Sequence, residues 1–129
     1  NESIGLAFGI TDTTAKVGAA IVHERDAAGS QGSLKFFTRP SNAGPPVERL
    51  KIQSDGNLVP AANNTYDLGS SSLKWNNIFT TDLQLSNEGK TNDVDGTWGD
   101  YTIQEGENDL FLINNRNGKK YKFNLTEVS

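Results

Sequence analysis

The chain has 129 residues, with 12 Lys and Arg against 16 Asp and Glu, for a formal charge of −4. It contains no Cys, which excludes disulfide frameworks, thiolate zinc sites and cysteine nucleophiles. No apolar run approaches the roughly 18 residues of a membrane span, no signal peptide is visible, and an acidic balance argues against nucleic-acid phosphate as the main partner.

Leu, Ile, Val and Phe number 30, or 23% of the chain, just above the roughly 20% below which chains tend not to fold. Asn, Gly, Thr, Ser and Asp number 57, or 44%. Asn and Gly tolerate left-handed backbone angles, and the short polar side chains compete with helical hydrogen bonds. The expected fold class is therefore all-β: short antiparallel strands and hairpins, with at most one or two helical turns. The chain opens at Asn1 and contains no Met, as expected of a piece of something longer or of a processed polypeptide.

In chain order, 3–9 (SIGLAFG) and 17–24 (VGAAIVHE) read as short apolar strands, followed by a turn-rich link over 26–32. Segment 34–38 (LKFFT) alternates, with Leu34 and Phe36 on one face. Three prolines within 40–46 forbid a central strand there. In 47–53 (VERLKIQ), Leu50 and Ile52 share a face opposite Arg49 and Lys51. Asp55-Gly56 then signals a tight turn into a partner strand over 57–60. Segments 63–65 and 69–72 are loop signals, and the serines at 70–72 are placed to cap one helical turn carrying Leu73, Trp75 and Ile78. Period two returns over 82–86, with Leu83 and Leu85 on the buried side. Three strands over 98–105, 109–114 and 119–128 then form an antiparallel meander, the last pair joined by the hairpin signal Asn117-Gly118. Leu110–Ile113 is apolar on both faces, so it is expected to be central or covered by another chain. A boundary within 56–66 divides the chain into an N-terminal β-rich segment, 1–55, and a C-terminal β segment, 56–129, that ends in the 98–128 meander.

From Val47 onward the text resembles bacteriophage tail-fibre proteins. The run 47–58 (VERLKIQSDGNL) resembles their recurring strand, S-x-G-N turn and second strand, and 60–79 (PAANNTYDLGSSSLKWNNIF) resembles the segment that often follows. Segments 81–89 and 93–128 are similar to C-terminal regions of tail fibres from tailed phages of marine bacteria, cyanobacteria included. The resemblance covers roughly 80 of the 129 residues. It implies a virion structural protein at the particle's periphery, an intertwined homotrimeric fibre segment in contact with other virion proteins, contributing to attachment at host surface polysaccharide or lipopolysaccharide. It implies neither cofactor nor enzymatic activity, and it carries no defined list of functional residues. Composition points the same way on assembly: a polar chain with two-faced strands has more apolar surface than its own thin core can cover, and core-poor folds are commonly completed by oligomerisation.

Five groups of residues carry side chains of catalytic, metal-ligating or binding type. His23, the one histidine, lies at a strand end, and a triad would need it beside a serine; a plain strand position is the favoured reading. Asp93, Asp95 and Asp100 faintly match a calcium loop, but the EF-hand spacing fails and an acidic turn is favoured. Glu105 and Glu107, with Asp109 beyond, lie at the separation of paired carboxylates in glycosidases, roughly 6.6–6.8 Å for alternate strand residues; turn acids are favoured. Arg116, Lys119, Lys120 and Lys122 form one basic cluster, which alternates as a solvated strand face does. Among the aromatics, Trp75 is expected to be buried, while Trp98 and Tyr101, with Asp95 and Asp100, are the candidate glycan or receptor contacts. The alternatives to an adhesive fibre are a purely structural or capsid-decorating fibre without receptor contact, and a carbohydrate-binding module.

Overall fold

The computed structural model describes residues 3–9, 17–26 and 28–128. Its strands are β1 (Ser3–Gly9), β2 (Val17–Arg25), β3 (Gly32–Thr38), β4 (Val47–Ile52), β5 (Leu58–Pro60), β6 (Leu83–Ser86), β7 (Asp100–Glu105), β8 (Leu110–Asn114) and β9 (Lys120–Lys122). The first five make one sheet and the last four another, each in chain order and each pairing antiparallel, and the described residues contain no helix. The fold is all-β. Two compact units contain these sheets, 1–74 and 75–129, so β5 and the stretch to Lys74 belong with the first sheet; the sequence reading begins the second segment at Gly56.

Side chains alternate between the faces of a strand, and the registers sort the first sheet sharply. Leu6 pairs with Ile21, Ile21 with Phe36 and Phe36 with Leu50; one step along, Ile4 pairs with His23, His23 with Leu34, Leu34 with Ile52 and Ile52 with Leu58. All of these stand on one face. Lys35, in register with Val22 and Lys51, stands on the other. There its ammonium group donates to Glu24 at 2.9 Å and lies 3.4 Å from Glu48. One face is thus mainly apolar, with His23 at its middle and Thr38 and Arg25 at its ends, and the opposite face carries the Lys35 ion pairs beside Val22 and Phe37.

Between Phe36 and Phe37 the β3–β4 register slips, leaving Arg49 as an extra residue on β4. Such a bulge re-aims a side chain. The Arg49 guanidinium donates to the Thr38 hydroxyl at 2.8 Å and to the Tyr66 hydroxyl at 3.2 Å, and it sits 5.5 Å from the Tyr66 ring centroid. The Tyr66 hydroxyl in turn donates to the Glu48 carbonyl. The Ala61 amide also donates to the Arg49 carbonyl, so the irregular chain after β5 is pinned to β4 at Ala61 and Tyr66.

The second sheet has the same two-sided character. Leu83 pairs with Ile103, Ile103 with Leu112 and Leu112 with Tyr121, while Leu85 pairs with Tyr101 on the same face. The reverse face carries a polar ladder: Thr102 donates to Gln84 at 2.8 Å, Asn115 donates to Thr102 at 3.0 Å and to Asp100 at 2.9 Å, and Gln104 donates to Asp82 at 2.9 Å. The apolar stretch Leu110–Ile113 lies in β8, between β7 and β9 and therefore central, as expected.

Within each unit, the described strands contact only their neighbours in the same sheet. Among the described residues no hydrophobic side chain is buried, and the only buried residues are Ser33 and Thr102. The chain exposes 10,614 Å². A compact protein of its mass exposes about 6,700 Å², and even two separate compact units of half that mass about 8,100 Å².

Four sequence expectations are corrected. The serine run does form a cap, with Ser70 Oγ accepting from the Leu73 amide at 3.0 Å, yet no helical turn follows among the described residues. Gly69 enters at φ 91, serines are indifferent helix formers, and a single turn cannot recover its nucleation cost without a surface to rest on. Trp75, expected to be buried, is 64% exposed for the same reason. The last strand stops at Lys122 instead of running to Val128: the Phe123 amide donates to the Leu110 carbonyl, and Leu110 is where β8 begins. Beyond it there is no β8 left to pair with. Strand β7 likewise starts at Asp100, leaving Trp98 in the preceding loop.

The Lys35 cluster yields a pH prediction. The hydrogen bond from Lys35 to Glu24 is the main influence raising the lysine above its ordinary pKa, with the Glu48 charge adding to it, against an opposing loss of hydration. A cation whose pKa is raised by folding stabilises the fold below the unfolded value and loses that contribution as pH climbs through the folded one. Lys35→Met is expected to cost about 0.5–1 kcal/mol at neutral pH, with the difference between variant and parent vanishing in alkali above the ordinary lysine range, as read by urea unfolding across pH.

Candidate functional site

The residues expected to make surface contacts lie in and around the loop between β6 and β7, which the sequence folds onto itself. Asn92 organises it. Its side-chain oxygen accepts from the amides of Val94 and Asp95 at 2.8 and 3.0 Å, and its amide group donates to Asp95 at 2.7 Å and to the Thr97 carbonyl at 2.8 Å. Asp95 Oδ1 also accepts from the Thr97 amide and hydroxyl at 3.0 and 2.8 Å. Gly96 supplies the φ of 70 that the turn requires. The Asn92 hydrogen bond, then those from Thr97, hold the Asp95 carboxyl below the usual carboxylate range.

Asp95 is therefore a turn organiser. Among the described residues no group of three or more His, Cys, Asp or Glu is arranged to hold a metal ion, and the calcium-loop spacing of Asp93, Asp95 and Asp100 corresponds to an Asx-rich turn.

Trp98 is half-buried beneath Arg116, whose guanidinium carbon lies 3.9 Å from the indole centroid and whose Nη1 donates to the Trp98 carbonyl at 2.7 Å. Stacking of this kind contributes about 0.5–1 kcal/mol at exposed sites. Asp100 is tied to the same β8–β9 loop, accepting from the Asn115 side chain and, through its carbonyl, from the Asn115 amide. Tyr101 pairs with Leu85 and so stands on the opposite, apolar face. Its hydroxyl accepts from Asn114 at 3.0 Å, and its ring leaves no room for a Cβ at Gly99, which would sit 2.8 Å from it.

The four contact candidates are thus not gathered into one patch. Trp98 and Asp100 share the Asn115–Arg116 loop, Asp95 holds its own turn, and Tyr101 lines an open groove of about 360 Å³ with Leu85, Ser86, Asn87, Asn92 and Gly99.

The remaining groups are placed as follows. Glu105 and Glu107 are both exposed, and Asp109 is engaged by Lys122 at 2.7 Å. Within the basic cluster, Arg116 stacks on Trp98 and Lys122 pairs with Asp109. His23 is half-buried within the apolar face of the first sheet, its register partners being Ile4 and Leu34.

Two features escaped sequence reasoning. One is the Arg49–Tyr66 clasp, because a bulge leaves no mark in an alternating strand text. The other is the exposure of Leu68, Leu73, Trp75, Ile78 and Phe79, the last 94% exposed; an apolar text of that spacing reads as a packed turn. No family model, curated protein or solved structure matches the chain.

Two outcomes follow from the loop chemistry. In a Trp75→Phe background, which leaves Trp98 as the sole indole, Arg116→Ala is expected to red-shift the emission and cost about 0.5–1 kcal/mol. For Asp95, a carboxyl held low by folding stabilises above its unfolded pKa and loses that contribution as pH falls through the folded value. The protection of the Thr97 amide relative to its intrinsic exchange rate is therefore expected to fall on acidification, and Asp95→Ala to show that lower protection already at neutral pH, by NMR.

Proposed function

We propose that the chain is a structural segment of a homotrimeric fibre of the bacteriophage tail-fibre kind, located on the virion and contributing to host-surface attachment. The observation that carries this reading is the bare apolar face on each sheet, with no buried hydrophobic side chain among the described residues. Single-layer sheets of this kind acquire a core only when another layer covers them. The resemblance of 47–128 to tail fibres supplies the choice of three copies and of the virion. Attachment by such a fibre rests on many weak contacts multiplied across copies, and the Asn- and Asp-rich loop before β7, with Asp95 and Trp98, is the surface offered for them.

A purely structural fibre element is the second reading, and one observation favours it: Arg116 already occupies the Trp98 ring, and Asp95 and Asp100 already accept from Asn92, Thr97 and Asn115.

Sedimentation equilibrium of the isolated chain is expected to give three times the 14.0 kDa chain mass, and a monomer at micromolar concentration would contradict the proposal. Binding of the trimer to whole cells and to immobilised polysaccharide separates the two readings. Loss of binding in Trp98→Ala with an unchanged mass supports attachment through this loop, whereas absence of binding by the parent supports the purely structural role.

A further inference from the structure

We propose that Asn117 is a deamidation site held closed by the fold: the β8–β9 loop withholds the backbone nitrogen that would otherwise convert its side-chain amide to an acid.

Of the 14 Asn residues, Asn117 is the one followed by Gly. A Gly nitrogen approaches the preceding side chain with no Cβ of its own in the way. Asp55 and Asp95 also precede Gly, but an ionised carboxylate repels a nucleophile where a neutral amide does not. Asn117 is exposed to the water that the reaction consumes.

In the open loop the Gly118 nitrogen, once its proton has passed to solvent, attacks Asn117 Cγ and closes a succinimide ring. The Cγ–Nδ2 bond breaks, and the nitrogen leaves as ammonia, taking a proton back from solvent. Water then opens the ring at one of its two carbonyls. Opening at Cγ restores an ordinary main chain with an aspartate at this position. Opening at the backbone carbonyl routes the main chain through the side chain, as isoaspartate. The net change is one water taken up and one ammonia released.

Two hydrogen bonds of the folded loop act on the first step, in opposite senses. Asn117 Oδ1 accepts from the Lys119 amide at 2.9 Å, which by itself polarises Cγ toward attack. The Gly118 amide donates to the Asn114 carbonyl at 2.8 Å, so the proton that must leave is the one the loop holds. The second bond decides the outcome, because no attack occurs while the nitrogen keeps its proton.

The surrounding contacts keep that bond made. The Asn114 amide donates to the Lys119 carbonyl at 2.8 Å, the Asn115 side chain donates to Asp100 and Thr102 at 2.9 and 3.0 Å, and Arg116 stacks on Trp98. Gly118 takes the φ of 72 that the loop requires without strain. Reaction therefore waits on local opening, and its rate is scaled down by the small population of the open loop. Conversion would place a carboxylate beside Lys119 and Lys120. As isoaspartate it would also lengthen the main chain in the loop that sets the register of β9, which is only three residues long.

The full-length chain would be incubated at mildly alkaline pH in native buffer and in urea, with conversion at each Asn followed by peptide mapping and mass spectrometry. In urea Asn117 is expected to convert ahead of every other Asn, and in native buffer about tenfold or more slowly than in urea. Asn115→Ala, which removes the side chain tying the loop to β7, is expected to speed conversion in native buffer. Arg116→Ala repeats that test through the Trp98 stack, with circular dichroism showing that each variant stays folded. Equal rates for Asn117 in native buffer and in urea would overturn the proposal, as would another Asn converting first in urea. Folded variants that both convert at the parental native rate would overturn the loop contacts as the device. The comparison of native buffer with urea stands even where neither variant folds.

Discussion

A β-sheet one layer thick cannot bury its own apolar face, and everything else in this protein is arranged around that constraint. Hydrogen-bonded ladders hold the strands side by side, but each such bond contributes only about 0.5–1.5 kcal/mol net, while ordering each residue's backbone costs about 1–2 kcal/mol. The balance is normally met by removing apolar surface from water at about 25 cal/mol per Å², which needs a second layer. Here the registers collect Leu6, Ile21, Phe36 and Leu50 on one side and Lys35, Glu24 and Glu48 on the other. Within that sheet's unit no described strand lies over the apolar side.

The polar chemistry of the chain is, by contrast, complete within itself. Asn92, Asp95 and Thr97 close their loop with their own side chains, the Thr102 ladder satisfies the reverse face of the second sheet, and no buried side-chain polar atom among the described residues lacks a partner. Apolar surface is thus the chemistry the chain leaves unmet, and association is the proposed remedy. The same contrast bears on attachment. Residues that bind a receptor keep donors, acceptors and ring faces open to it, whereas Trp98 and Asp95 spend theirs internally, which is why a purely structural fibre element stays beside the adhesive one as a reading.

Much of this architecture was legible in the sequence wherever a local rule decides. The alternation of Leu34 with Phe36 and of Leu50 with Ile52 fixed their faces, and both faces formed as read. Asp55-Gly56 and Asn117-Gly118 marked turns because Gly56 and Gly118 take φ values of 91 and 72, which suit glycine. What depends on a partner was not legible. The text of 119–128 keeps its alternation to the end, but pairing stops where β8 runs out, so Val128 is left 88% exposed. Trp75 reads as an anchor, yet an anchor needs a surface, and the sheet that was to supply it lies bare. The slip that makes Arg49 a clasp for Tyr66 arises from cross-strand pairing, which a single strand's text does not contain. At the candidate site, residue types and turn chemistry were readable; that Trp98 lies in a loop beneath Arg116, because the strand starts only at Asp100, was not.

The most direct measurement of the central claim is the thermal unfolding midpoint of the isolated chain as a function of its own concentration. If copies of the chain supply one another's second layer, folding is linked to association by mass action, and the midpoint must climb by several degrees over about a hundredfold rise in concentration. A cooperative transition whose midpoint stays fixed over that range would mean that one polypeptide encloses its apolar surface unaided, contradicting the account.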